Sequence, residues 1–289
     1  MRRIERQMEE FRNKNVKFIR PVFVDILGRM LDFTIPIEDF EDLVENGKGF
    51  DGSSVEGFAR TEESDLRFIP DIDTLAILPW EYEGIENTWR EAIVFGRIIE
   101  PSGKEFEGDT RVLLKNTIEK YRDIGTLKCG AEIEFFIFKS DKSPIHTDEG
   151  GYFRSGLYGE IRKEAQLALN GMGIKTEFDH HEVAQSQHEI DLTYTDALKM
   201  ADEIILTKYV VKRIARKYGV YASFMPKPIA GINGNGMHLH LSLWKNGKNL
   251  FFDDEKKGLS DIAKSYICLL YTSDAADDGE SVDLGGRRI

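Results

Sequence analysis

The chain has 289 residues, 41% of them hydrophobic, and a formal net charge of −12 at pH 7. That supplies a substantial core, and the acidic balance, with no long basic run, excludes nucleic acid and anionic membrane as natural partners. The charged N-terminus leads into no signal core, no apolar run is long enough to cross a bilayer, and the 2 cysteines, Cys129 and Cys268, make no disulfide framework, so a soluble cytoplasmic protein is expected.

Residues 3–14 carry mixed charge and predict a helix. Residues 16–26 alternate as a strand, Gly28-Arg29 is a turn, and 30–35 return as the second strand of a hairpin. A short amphipathic helix is expected over 37–44, then a glycine-broken loop over 47–57 and strands over 74–78 and 91–99. This first block, to about residue 105, reads as a small mixed sheet with a helix. Pro101-Ser102-Gly103 and Phe106-Glu107-Gly108-Asp109 are turn-rich and mark a boundary. Beyond it, helices are expected over 110–123 (with Thr110 available as cap), 155–172 and 196–218. Strands are expected over 132–138, 188–194, 220–225 and 237–244, the last two flanking a glycine loop. Helices and strands mix without a regular βαβ repeat, so the fold class is α+β rather than doubly wound.

Four segments carry candidate chemistry. Glu132-Ile133-Glu134 places two carboxylates on one face of a strand, about 7 Å apart along the backbone. The aromatic residues Phe135, Phe136 and Phe138 follow directly, so the strand is expected to be largely buried, and buried paired carboxylates need a cation. The segment 180–189 offers Glu182 and Glu189 and can turn back on itself. His238-Leu239-His240 puts both imidazoles and Ser242 on one strand face, with Leu239, Leu241 and Leu243 on the other. The loop 231–236 is rich in glycines that permit close backbone approach. Singly, these segments fit a solvated strand face, a polar loop, an outer face and a turn. Together they form an oxygen-rich donor set suited to Mg²⁺ or Mn²⁺ rather than Zn²⁺, and hence to phosphoryl transfer without a Walker or kinase motif.

At these residues the sequence resembles class I glutamine synthetase. The resemblance runs from about Val16 to Ile267, through Asp51-Gly52-Ser53-Ser54, Phe106-Glu107-Gly108-Asp109, Glu132-Ile133-Glu134-Phe135-Phe136, His180-His181-Glu182-Val183-Ala184, Phe224-Met225-Pro226-Lys227-Pro228 and the Asn233-Gly234 to Ser242 segment. It implies a small β-grasp domain over 14–105 and an incomplete catalytic domain over 106–267. It also implies ATP-dependent ligation of ammonia to glutamate through γ-glutamyl phosphate, in homo-oligomers of stacked rings with active sites between neighbouring subunits. By the same resemblance, Glu134, Glu182 and Glu189 hold one metal, and Glu132 and His238 the second. Glu177, Tyr194, His240 and Ser242 line the nucleotide site, Tyr194 by stacking on adenine. Asn233 and Gly234 belong to the glutamate pocket, and Asp51 and Asp65 attract and deprotonate ammonium. Ser186 and Asn235 depart from the Gly and Ser common in the family.

Family members continue well beyond this length, so the chain is expected to be C-terminally truncated, to leave one metal site incomplete and to be inactive by itself. Residues 268–289 do not follow the family pattern. Residues 268–277 back-translate to a stretch resembling a transposase-library adapter, so 268–289 is expected to be a non-native tail. The alternatives are a related ligase joining glutamate to another amine, or a non-catalytic structural or regulatory relative. Asp51 and Asp65 favour ammonia, and retention of the available metal ligands argues against a non-catalytic role.

Overall fold

The computed structural model describes residues 2–272, apart from 56, 58–63 and 86. Helix α1 (Arg2–Asn13) is followed by β1 (Val16–Val24), β2 (Met30–Asp32), β3 (Ile35–Pro36), α2 (Phe40–Asn46), β4 (Lys48–Asp51), β5 (Asp65–Pro70), β6 (Ala76–Ile77) and β7 (Arg90–Ile99). These strands form one sheet in the order β2-β1-β7-β5-β4, with β3 on β1 and β6 on β7. Strand β1 runs parallel to β7, whereas β2 folds back antiparallel on β1 as the expected hairpin. Asp25 makes that turn by accepting from the backbone N–H groups of Leu27 and Arg29, both at 2.9 Å.

The second part comprises α3 (Thr110–Lys120), β8 (Thr126–Phe138), α4 (Gly159–Gly171), β9 (Thr176–His181), β10 (Gln187–Asp196), α5 (Ala197–Lys217), β11 (Tyr221–Ser223), β12 (Met237–Lys245), β13 (Lys248–Asn249), β14 (Phe252–Asp253), β15 (Gly258–Leu259) and α6 (Asp261–Thr272). Its main sheet has the order β13-β12-β8-β10-β9, with β11 on β8, and every pairing is antiparallel. The architecture is α+β, as expected.

Period-two alternation divides the first sheet between two cores. On β7, Ala92, Val94 and Ile98 join α1 and α2 residues such as Phe11, Phe40 and Leu43 on one side. Ile93 and Phe95 face the other way and share a core with Ile133, Phe135 and Ile137 of β8, Ile161 and Leu169 of α4, and Val210 and Ile214 of α5. The second sheet therefore buries one face against α4 and α5; on the other, Phe136 and Phe138 are covered by Ala184, Ile229 and Ile232, and the stretch around Glu132 and the β12 histidines is left open.

Several local expectations are corrected. Strand β4 occupies part of the expected loop 47–57, and β5 and β9 form where no strand was expected. Of the expected strand 74–78, Ala76–Ile77 alone pairs as a strand among the described residues. Helix α4 starts at Gly159 because Tyr158 adopts a left-handed conformation, φ 64°, which breaks the helix before it. Asp109, not Thr110, caps α3. On β12 the apolar face is not uniformly buried: Leu241 packs against the core, but Leu239 remains 46% exposed. Of the expected tail, 268–272 continue α6, and 273–289 lie outside the described residues.

Candidate metal centre

The site is built on the open face of the second sheet. Because Ile133 and Phe135 of β8 point into the core, Glu132 and Glu134 between and beside them point outward. Register then sets their neighbours. Glu189 of β10 lies opposite Glu134, and Asp191 opposite Glu132. On the other flank, His238 of β12 lies opposite Glu132 and His240 opposite Gly130. His180 of β9 pairs with Glu189, and Glu182 follows in the β9–β10 connection.

Hydrogen bonds fix these groups. His238 Nδ1 donates to Glu132 Oε2 at 2.8 Å, and His240 Nε2 to the other oxygen at 2.5 Å. Gln187 Nε2 donates both to Glu134 Oε2 at 2.6 Å and to the carbonyl of Gly234 at 2.8 Å, joining the glycine loop to the carboxylates. His180 Nε2 donates to Glu189 Oε1 at 3.0 Å, and its Nδ1 lies 3.6 Å from Glu182 Oε1. Tyr152, Phe153 and Phe178 surround the His180 ring, with centroids 4.9–5.5 Å away. The ligand atoms of His180, Glu182 and Glu189 lie within 4.8 Å of one another.

The electrostatics show what this face lacks. Burial, then the charges of Asp191, Glu134 and Glu182, push Glu189 up to about 8. Burial raises Asp191 to about 6 with help from Glu132 and Glu177, against a hydrogen bond shared with Glu189. Burial and Glu182 also raise Glu134. At Glu132 burial is outweighed by the two imidazole hydrogen bonds, so its carboxyl lies below the usual range. Asp191 Oδ1 and Gln187 Oε1 are buried with no hydrogen-bond partner among the described residues. Crowded carboxylates with orphaned buried oxygens fit a bound divalent cation, and a donor set dominated by oxygen fits Mg²⁺ or Mn²⁺.

A second group, Asp148, His181 and His188, has ligand atoms equally close but a different chemistry. The Arg162 guanidinium bonds to His188 Nδ1, and His181 Nε2 lies 3.2 Å from Asp148 Oδ1. An arginine can only donate, so it brings positive charge and leaves Nε2 of a neutral His188 carrying the proton rather than a lone pair. This group is a buried ion-pair network.

The other expected residues are more dispersed. Tyr194 is 55% exposed at the end of β10, packed beside Gly130. Lys128 Nζ lies 5.6 Å from the ring centres of both Tyr194 and Trp244. Ser242 stands opposite Lys128 and accepts from Trp244 Nε1 at 2.9 Å. Glu177 is exposed on β9 within electrostatic reach of Asp191. Asn233 is exposed in the glycine loop. A Cβ on Gly234 would stand 2.3 Å from the Pro226 carbonyl, so only glycine fits there. Asp51 and Asp65 are cross-strand partners on β4 and β5, at the outer edge of the first sheet. With Phe50, Arg67 and Pro101 they line an open cleft of about 470 Å³. Hydrogen bonds from Ser53 and Ser64 hold Asp51 below its ordinary value. No hydrogen bond or ion pair among the described residues joins these aspartates to the carboxylate cluster. Sequence reasoning missed Asp191, His180 and Gln187. Asp191 and Gln187 share the period-two face of Glu189, which is the one sequence signal pointing to them; the register with β8 and the burial that give them meaning come from the fold.

Fold and site together define an α+β protein whose open antiparallel sheet face presents a centre suited to divalent cations. Residues 15–101 match the family model "Glutamine synthetase, beta-Grasp domain", and residues 107–273 match "Glutamine synthetase, catalytic domain". The chain belongs to the glutamine synthetase family. It is 44% identical over 269 residues to a glutamine synthetase of Methanosarcina mazei, covering 90% of this chain and 59% of that one. A Thermotoga maritima glutamine synthetase is 43% identical over 273 residues, covering 91% and 61%. Among solved structures, a Plasmodium falciparum glutamine synthetase superposes with TM-score 0.83 at 27% identity, over 95% of this chain and 60% of that one. A GmaS/ADP complex superposes equally well at 30% identity, over 92% and 62%. The chain thus spans about three-fifths of the length of the curated relatives it matches. No helix among the described residues is long and apolar enough to cross a membrane.

Proposed function

We propose that this chain carries the metal-binding part of a cytoplasmic, oligomeric ligase that joins ammonia to glutamate at the expense of ATP, through γ-glutamyl phosphate. The observation that carries this reading is the sheet face on which Glu132, Glu134, Glu182, Glu189 and His238 converge within a chain of the glutamine synthetase family. Glu134, Glu182 and Glu189 hold one divalent ion, and Glu132 and His238 the other. Bound there, Mg²⁺ or Mn²⁺ neutralises phosphate charge during phosphoryl transfer.

The chain's own groups prepare that role. His238 and His240 keep Glu132 ionised, and Gln187 aims Glu134 while tying down the loop that carries Asn233 and Gly234. Glutamate binds at that loop. Tyr194 offers an exposed ring for a base to stack on, and Glu177, His240 and Ser242 contribute the other contacts to the nucleotide. Asp51 and Asp65 lie far along the first sheet and act on the ammonium of a neighbouring subunit's site, attracting the cation and taking its proton.

The test joins this segment to the corresponding remainder of the Methanosarcina mazei relative and measures ammonia-dependent phosphate release with ATP, glutamate and Mg²⁺. Turnover should vanish in Glu134→Gln and with EDTA. In Asp51→Asn it should fall through weaker use of ammonia at unchanged affinity for ATP. Turnover that survives Glu134→Gln removes Glu134 from the centre, and ATP binding lost in Asp51→Asn refutes its assignment to ammonia.

A further inference from the structure

One carboxylate on the acidic face has no task in the ligand assignment above. Asp191 stands opposite Glu132 in the β8–β10 register and, two residues from Glu189, projects from the same face. It is 6% exposed, so it is not a solvated surface acid. Its hydrogen bond is shared with Glu189, itself an acid, while Oδ1 is buried and unpartnered among the described residues. The charged groups that face it are Glu132 from β8, Glu189 from its own strand, and His180 and Glu177 from β9.

A purely structural aspartate in such a place would be held by backbone N–H groups or by an arginine. Asp109, which caps α3, and Asp202, which grips Arg111, are held that way in this same chain. Among the described residues Asp191 has neither kind of donor. A buried carboxylate that gives up hydration without such a donor either shares a proton with a neighbouring acid or sits beside a cation, and a proton shared with Glu189 still leaves Oδ1 without a partner among the described residues. Its position is also specific. It neighbours both Glu132, assigned to one ion, and Glu189, assigned to the other, and each of its two oxygens can serve a different ion.

We infer that Asp191 is a further ligand of the divalent-metal centre, shared between the ion held by Glu132 and His238 and the ion held by Glu134, Glu182 and Glu189. This rests on the metal-centre reading above and adds a residue that joins its two halves. The two ions are then coupled: weakening the hold on one loosens the other.

The experiment titrates the 289-residue chain with Mn²⁺, following free ion by electron paramagnetic resonance, in wild type, Asp191→Asn and Glu134→Gln. Asparagine keeps the shape and removes the charge. Asp191→Asn should bind both ions roughly 10–100-fold more weakly, the range seen when groups supporting a metal site are removed. Its thermal midpoint without metal should rise, because a repelling charge is gone, while the increase caused by Mn²⁺ shrinks. A structural aspartate would instead give a lower midpoint without metal. That result, or wild-type affinity and stoichiometry for Mn²⁺ in Asp191→Asn, overturns the inference. Glu134→Gln separates the two levels. Loss of binding there but not in Asp191→Asn sinks only the role of Asp191. No binding by wild type, or unchanged binding in Glu134→Gln, sinks the metal-centre reading and this inference with it.

Discussion

At the scale of single residues, the glycine loop and a buried acid make sharp tests. A Cβ on Gly236 would lie 2.7 Å from Glu134 Oε1 and 3.2 Å from His238 Nε2. Both contacts are ends of side chains, so Gly236→Ala is absorbed by displacing a ligand rather than the backbone. It should leave the fold intact by circular dichroism and weaken Mn²⁺ binding about tenfold in a titration. Glu203 on α5 makes a different point. It is 5% exposed, with Lys199 Nζ at 3.7 Å, and burial pushes it up to about 7 from an ordinary 4.5. The unfolded chain ionises near the ordinary value, while the folded chain keeps its proton until neutrality. Below that ordinary value both states are protonated and the group costs nothing. Stability is lost as pH rises towards 7, and the cost is full above it. Glu203→Gln should therefore stabilise the chain by about 1–3 kcal/mol at pH 8 and by nearly nothing at pH 4. Urea unfolding at the two pH values measures this, and an equal effect at both would disprove the burial argument.

At the scale of elements, the start of α3 is decided by one side chain. Asp109 Oδ1 accepts from Arg111 N at 2.8 Å and Val112 N at 3.3 Å, while Oδ2 accepts from Ile98 N of β7 at 2.7 Å. The residue is 1% exposed, so Asp109→Ala leaves buried donors unmatched and should cost about 2–3 kcal/mol, whereas Thr110→Ala should cost well under 1 kcal/mol. Denaturant midpoints of the two variants distinguish these outcomes. Asp109 and Thr110 are adjacent cap-forming types, and only the contact with β7, a long-range fact, separates them. The same reason governs which strands were legible. Strands β1, β7, β8 and β10 bury alternating or continuous apolar residues and announce themselves. Strand β9 (Thr176–His181) buries polar groups instead: Asp179 pairs with Arg162 and Gln166, and His181 with Asp148. A polar interior gives no hydrophobic period, so the strand reads as loop. Strands β4 and β5 are short, β4 with Lys48 and Asp51 at its two ends and β5 with Asp65 and Arg67 at alternate positions. In the candidate site, the acids and imidazoles at strand period were visible as chemistry. Asp191 and Gln187 were not, because their meaning comes from register with β8 and from burial, which one strand cannot reveal.

At the scale of the whole molecule, the two sheets are joined rather than merely linked. Val22, Leu78, Ile93 and Phe95 of the first part share a continuous core with α4, α5 and β8 of the second. An arginine fastens the same seam. Arg111 at the start of α3 bonds to both oxygens of Asp202 on α5, with Nε at 3.0 Å from Oδ1 and Nη2 at 2.9 Å from Oδ2, and reaches Asp71 of the first part at 2.8 Å. Arg111 is 9% exposed and Asp202 7%, so the pair is desolvated. Its net worth against apolar residues of similar volume is small, but breaking it from one side strands a buried charge. Arg111→Met should therefore destabilise the chain by about 3–5 kcal/mol, and pairing it with Asp202→Leu should recover most of that loss. Because the core is continuous, both variants should still unfold in a single transition. Guanidinium melts followed by far-ultraviolet circular dichroism and by tryptophan fluorescence test both statements, since Trp89 reports on the first part, Trp80 on the seam with α5, and Trp244 on the second. Coincident curves with recovery in the double variant are expected. Separate transitions would show that the seam does not couple the sheets. A double variant no better than Arg111→Met alone would show that the arginine acts through Asp71 rather than by neutralising Asp202.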